Sequence, residues 1–123
     1  MISEQKEANK AILLKSVNYL ENDGYEDIKA DVEGLETPKS YTKQSDKSTI
    51  TPDIVAFKNG RKHYFEISQK SDKPNQLKTK WRFLDVYTRA KNHNFKIITT
   101  RGNYKFTQEM LSDLNLQKNA IRL

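Results

Sequence analysis

The chain has 123 residues, of which 35% are hydrophobic. This length allows one domain (residues 1–123) with a hydrophobic core and is too short for two domains. It contains no run of about eighteen apolar residues and no N-terminal apolar stretch behind a basic one, so we expect a soluble, intracellular protein without a membrane span or signal peptide. With no cysteine and only two histidines, disulfides, thiol nucleophiles and Cys/His metal sites are excluded. Any bound metal should therefore be held by oxygen.

The net charge of +6 is unevenly distributed along the chain. Residues 1–33 carry four lysines against eight acidic residues, a net charge of −4, whereas residues 70–91 carry seven basic residues against two acidic ones, a net charge of +5. A basic segment of this kind suits a polyanionic partner such as nucleic acid. A lysine-rich surface also aids solubility without any partner, and charge alone does not separate these two readings.

The first elements in chain order are a helix, a short strand and a loop. Apolar residues recur at helical spacing in residues 4–22, and Gly24 follows as a C-cap, which predicts a helix that mainly packs. Residues 25–33 alternate weakly between apolar and polar, which predicts a short strand. Residues 34–50 are rich in Ser, Thr and Lys and lack periodicity, so they predict a long polar loop.

An Asn-Gly pair at 59–60 stands between two β-type runs and predicts a tight hairpin with strands near 51–58 and 61–70. With this pair at the turn, Asp53 lies directly opposite Glu66, and both carboxylates share one face of the sheet. Like charges in that position are destabilising, so the pair needs a reason. Mg²⁺ is typically bound by one or two carboxylates and supplies such a reason. Taken singly, Asp53 is better explained as the cap of a turn after Pro52, and Glu66 as one half of an ion pair with a nearby lysine.

Two further helices and a strand are predicted after the hairpin. Residues 74–92 predict a helix with a basic outer face, residues 95–100 predict a buried strand, and Thr107 is expected to cap a final helix. The core stripe expected on the first of these helices is Leu77, Trp81, Leu84 and Thr88, with Phe83 and Tyr87 beside it. The full order predicts an α/β (α+β) fold, a mixed sheet with helices packed on its faces.

In this strand context, Pro52-Asp53 followed by Glu66-Ile67-Ser68 resembles the motif of the PD-(D/E)XK nuclease superfamily, to which many restriction endonucleases and Holliday-junction resolvases belong. The resemblance covers roughly residues 4–100, although the motif itself is only a few residues long. It implies a restriction endonuclease-like αβββαβ core, followed here by a C-terminal helix.

The resemblance also implies a set of metal ligands. Asp53, Glu66 and the main-chain carbonyl of Ile67 would hold Mg²⁺ or Mn²⁺, which would polarise the phosphate and activate a water. Members of the family often add a Glu from the first helix, for which Glu7 is better placed than Glu4. Acids in a first helical turn also favour the helix dipole and need no metal there.

The family motif ends in a lysine, and here Ser68 takes its place. A hydroxyl supplies no positive charge, so this departure bears on catalysis more than on metal binding. Lys70, on the same strand face, is the first candidate to replace the lysine. Lys80 is the second, since a lysine moved to the following helix is a known variation in the family. Expected nucleic-acid contacts are Lys43, Lys47, Lys70, Lys73, Gln76, Lys78 and Lys80.

The resemblance implies a metal-dependent nuclease that hydrolyses DNA phosphodiester bonds. A domain this small is expected to recognise ends, flaps or junctions rather than a long sequence, and a homodimer would place two sites on two strands. One alternative is a catalytically inactive nuclease-fold module that binds nucleic acid, which Ser68 favours. Another is an interaction protein whose basic helix 74–92 binds an acidic protein. The residues do not distinguish DNA from RNA.

Overall fold

Three helices and seven strands make up the part of the chain that the computed structural model describes, residues 10–118 and 120–123. No helix within these ranges has both the length and the apolar character needed to cross a bilayer. In chain order the elements are α1 (Lys10–Asn22), β1 (Glu26–Ala30), β2 (Tyr41–Thr42), β3 (Thr49–Ile50), β4 (Ile54–Lys58), β5 (Arg61–Ser68), α2 (Pro74–Ala90), β6 (Asn94–Thr99), α3 (Tyr104–Asp113) and β7 (Ile121–Arg122).

Five of the strands form one mixed sheet in the spatial order β1-β4-β5-β6-β7. The β1/β4 and β4/β5 pairs are antiparallel, whereas β5/β6 and β6/β7 are parallel. The α2 helix is the crossover between β5 and β6, as a parallel connection requires. The predicted mixed α/β sheet, with a three-strand meander and then a crossover helix, is confirmed.

Helices cover both faces of the sheet, and an apolar layer lies under each. The α1 layer contains Leu13, Val17, Leu20, Ile54, Ala56, Phe65 and Ile67. The layer under α2 and α3 contains Val55, Tyr64, Leu77, Trp81, Leu84, Phe95, Ile97, Met110 and Leu111. Alternate residues of β4 and β5 therefore go to opposite layers, as the period-2 pattern predicted. Asp53 and Glu66 belong to the side that α2 covers.

The Asn59-Gly60 turn fixes the register of the central hairpin. Both residues have positive φ, 54° and 75°, as a two-residue turn between twisted antiparallel strands requires. The ladder runs in the predicted register as far as Ile54, which pairs with Phe65. Since β4 begins at Ile54 and not near residue 51, Asp53 lies just before the strand.

The prediction of an irregular loop over residues 34–50 was wrong in part, because this segment contains the β2–β3 hairpin. Tyr41 anchors the hairpin: its hydroxyl lies 2.9 Å from that of Tyr64, and its ring centroid lies 4.7 Å from that of Tyr87. Two-residue strands are too short to show periodicity, and the contacts that hold them come from distant parts of the chain.

Two predictions for the C-terminal part need correction. The final helix begins at Tyr104, after Asn103, so Thr107 lies inside the helix and does not cap it. The Thr107 side chain is buried and bonds to other hydroxyls, as described below. The short strand β7 was not predicted, because a two-residue strand has no readable alternation.

Candidate active site

Asp53 and Glu66 form a buried carboxylate pair where β4 begins beside β5. Neither side chain is exposed to solvent. The main-chain N–H of Asp53 donates to Glu66 Oε2 at 2.8 Å, and the N–H of Ile67 donates to Asp53 Oδ2 at 2.8 Å. One oxygen of each carboxylate is thus held by a backbone donor. These bonds orient both groups before any ligand binds.

Lys80 of α2 bridges the two carboxylates. Its Nζ lies 3.1 Å from Asp53 Oδ1 and 3.1 Å from Glu66 Oε1, and only 11% of its side chain is exposed. In the helix, Lys80 follows Leu77 by three residues and precedes Leu84 by four, so it adjoins the buried stripe. The packing that buries this stripe also directs Lys80 at the sheet.

The three groups have opposing pKa shifts. Burial alone would raise the pKa of Asp53, but the Lys80 ammonium, together with other favourable interactions such as the Ile67 N–H, holds that pKa below its usual value. Burial and the nearby negative charge of Asp53 raise the pKa of Glu66. Burial would lower the pKa of Lys80, but the two carboxylates raise it instead. Asp53 and Lys80 are therefore charged at neutral pH, and Glu66 is the carboxylate that takes a proton first.

The oxygen atoms of the pair fit a small divalent cation. Asp53 Oδ1 and Glu66 Oε1 converge on one position, 3.1 Å from each, where the structure has the Lys80 nitrogen. A cavity of about 50 Å³ adjoins Asp53 and has room for water. In residues 10–118 and 120–123, no group of three or more His, Cys, Asp or Glu could hold a metal. A site built there has two carboxylates, a number that suits a cation which keeps several waters, as Mg²⁺ does.

Ser68, at the position of the lysine in the motif that this chain resembles, is fully buried and bonded to α3. Its Oγ lies 2.7 Å from Thr107 Oγ1, which lies 2.9 Å from Thr99 Oγ1 and donates to the Asn103 carbonyl at 2.8 Å. This hydroxyl cluster (Ser68, Thr99 and Thr107) joins α3 to the ends of β5 and β6. Sequence reasoning missed it, because its members are far apart in the chain and their residue types are common.

The two candidate lysines are placed in the reverse of the expected order. Lys80 contacts both carboxylates, whereas Lys70 lies two residues beyond the end of β5 and is exposed. The main-chain N–H of Lys70 donates to Asn103 Oδ1 at 2.9 Å, which ties this segment to the start of α3. The expectation for Lys70 assumed a strand as far as residue 70, and the strand ends at Ser68.

The other predicted contact residues lie in three places. Lys73 and Gln76 are exposed at the start of α2. Lys78 pairs with Asp113 of α3 at 2.9 Å, with 27% of its side chain exposed. Lys43 and Lys47 lie in the turn between β2 and β3, where Lys43 is 3.9 Å from Asp46. Glu4 and Glu7 are outside the described residues.

Comparisons with known proteins find no match to this chain among family models, curated proteins or solved structures. The chemistry that the site can support follows from its own residues. Two oriented, buried carboxylates can bind a divalent cation, and the ammonium of Lys80 can stabilise an oxyanion beside it.

Proposed function

We propose that the protein is a metal-dependent nuclease that hydrolyses DNA phosphodiester bonds. Mg²⁺ or Mn²⁺ would be held by Asp53, Glu66 and the main-chain carbonyl of Ile67. The observation that carries this proposal is the position of Lys80 Nζ, 3.1 Å from one oxygen of each carboxylate. The carboxylate oxygens that would bind the cation and the ammonium that would bind the phosphate therefore lie at one place in the fold.

Each residue of the site has a distinct role in this proposal. A bound divalent cation supplies charge neutralisation at the phosphate and lowers the pKa of an attacking water. Asp53 and Glu66 are oriented by backbone donors, so little reorganisation is needed when a ligand arrives. Lys80, whose pKa is raised by the two carboxylates, stays charged at neutral pH and can bind a phosphate oxygen.

The position of Lys80 favours an enzyme over an inactive nuclease-fold module. The inactive alternative was based on Ser68, whose hydroxyl carries no charge and is bonded to Thr107. Lys80 supplies the positive charge that Ser68 does not. A binding module remains the second candidate, and it is supported by the exposed Lys70 and Lys73 in the segment between β5 and α2.

Cleavage of a labelled substrate panel tests the proposal. Single-stranded, duplex, flap and four-way DNA, together with single-stranded RNA, would be incubated with the protein in Mg²⁺ and in Mn²⁺. We expect Asp53→Asn, Glu66→Gln and Lys80→Met each to reduce the rate by about 100-fold or more. Lys15→Met, which changes an exposed lysine of α1, is the control, and its rate should stay within a few-fold of the wild-type rate.

Each alternative gives a different result in the same experiment. If the wild-type protein cleaves none of these substrates in either metal, the nuclease proposal is refuted. DNA binding that persists in chelator without any cleavage in metal would identify the inactive binding module. Failure to bind DNA even at low salt would favour an acidic protein as the partner of the basic helix, since phosphate contacts are strongest at low salt.

A further inference from the structure

We propose that Lys80 is a resident counter-ion of the carboxylate pair and that a divalent cation enters by displacing its ammonium. The inference rests on the proposed function for the identity of the cation, Mg²⁺ or Mn²⁺. The metal and the Lys80 ammonium then compete for the same two oxygens, Asp53 Oδ1 and Glu66 Oε1.

The competition follows from how the four carboxylate oxygens are used. Asp53 Oδ2 accepts the N–H of Ile67, and Glu66 Oε2 accepts the N–H of Asp53. The other two oxygens, Asp53 Oδ1 and Glu66 Oε1, are the ones that lie 3.1 Å from Lys80 Nζ. A cation that bridges the pair must use these two oxygens or break bonds to buried backbone donors, which is costly.

An ammonium and a divalent cation that share these two oxygens would repel each other, because their like charges would be a few ångströms apart in a buried site. The Lys80 ammonium can move away from the carboxylates. Its side chain is 11% exposed, and its four-carbon stem is flexible, so Nζ can move outward while α2 stays packed. The backbone bonds to Asp53 and Glu66 do not involve Lys80, and the carboxylates therefore stay oriented after it leaves.

Two consequences follow for the working protein. Displacing Lys80 reduces the apparent affinity for the metal, because the loss of the existing ion pair offsets part of the favourable free energy of metal binding. The exchange also moves the Lys80 charge away from the two carboxylates when the metal is in place.

Chemical labelling of lysines in the absence of DNA tests the exchange directly. The wild-type protein would be acetylated with and without saturating Mn²⁺, and the rate at each lysine followed by peptide mass spectrometry. We expect Mn²⁺ to raise the rate at Lys80 roughly tenfold, the factor that corresponds to about 1.4 kcal/mol. Lys78 is the matched control, since it is on the same helix and pairs with Asp113. In Asp53→Asn the effect on Lys80 should disappear.

Calorimetry of Mn²⁺ binding supplies the second measurement. Lys80→Met should bind Mn²⁺ roughly tenfold more tightly than the wild-type protein, and Lys78→Met should bind it equally. The proposal is overturned if the wild-type protein binds Mn²⁺ while Lys80 labelling stays unchanged, or if it binds no Mn²⁺ at all. Metal-dependent exposure of Lys80 without DNA cleavage would uphold the exchange and refute the nuclease. DNA cleavage without metal-dependent exposure of Lys80 would uphold the nuclease and refute the exchange.

Discussion

The hydroxyl oxygens of Ser68 and Thr107 lie 2.7 Å apart in a buried contact between β5 and α3. Ser68 is two residues after Glu66, at the position where the resembling nuclease motif has its lysine. Its hydroxyl is bonded to a helix of the scaffold. Lys80, 12 residues further along the chain on α2, supplies a positive charge at the carboxylates.

We expect Thr107→Val to destabilise the protein by about 1–3 kcal/mol, because the buried hydroxyls of Ser68 and Thr99 lose their shared partner while the side-chain shape is kept. Urea unfolding followed by circular dichroism measures this. Thr79→Val, an exposed site on α2, is the matched control and should change stability by less than about 0.5 kcal/mol. Equal urea midpoints for the two variants would show that the hydroxyl cluster adds no stability.

In chelator, Lys80→Met should lower the free energy of unfolding by about 3–5 kcal/mol, because it leaves two buried carboxylates without this counter-charge. Lys78→Met, which breaks a more exposed pair with Asp113, should cost less than about 1 kcal/mol. Adding Asp53→Asn and Glu66→Gln to Lys80→Met should recover much of the loss. A Lys80→Met protein as stable as Lys78→Met would contradict the buried ion-pair interpretation.

The stability of Lys80→Met should fall as pH rises. In the wild-type protein, burial and Asp53 already raise the pKa of Glu66, and Lys80 opposes this shift. Without Lys80, the folded-state pKa of a carboxyl in this pair lies further above its unfolded value. The native state then binds more protons than the unfolded state, and stability decreases with increasing pH.

The measurement for this prediction is urea unfolding in chelator across pH 4.5 to 8, with the wild-type protein and Lys78→Met measured in parallel. The stability difference between Lys80→Met and Lys78→Met should be smallest at the acidic end and grow toward pH 8. A difference that is constant over the range would mean that neither carboxyl takes up a proton when Lys80 is removed.

Tyr41→Phe should destabilise the β2–β3 hairpin by about 1 kcal/mol, since it removes the 2.9 Å hydroxyl contact with Tyr64 and keeps the ring. The readout is hydrogen exchange at the Lys43 amide, which bonds to the Ser48 carbonyl inside the hairpin. Tyr19→Phe on α1 serves as the control and should leave this exchange rate unchanged. Equal rates in Tyr41→Phe and Tyr19→Phe would show that the hydroxyl contact does not hold the hairpin.

A second readout follows from the raised pKa of Tyr41, which is caused by burial and by its bond to Tyr64. In an ultraviolet titration of the wild-type protein, Tyr41 should resist ionisation beyond the range of an ordinary phenol. The resistant part of the signal should be smaller in Tyr41→Phe.

The amino-acid sequence by itself determined the central hairpin and its consequence. Asn59 and Gly60 both accept positive φ, so the turn and its register are local properties of two residues. The register then places Asp53 beside Glu66, and the alternation of apolar residues assigns the faces of β4 and β5. The stripe on α2 is likewise readable, because helical spacing is set by the backbone and not by the partner.

Only the tertiary structure decided which of the two candidate lysines, Lys70 or Lys80, faces the carboxylates. Lys70 and Lys80 are equivalent as residue types, and the choice depends on where β5 ends and how α2 is rotated as it crosses the sheet. The same holds for the Ser68–Thr107 contact and for Tyr41 in its hairpin, which join segments 39 and 23 residues apart. Such contacts depend on the packing of whole elements against one another, and local sequence patterns carry no information about that packing.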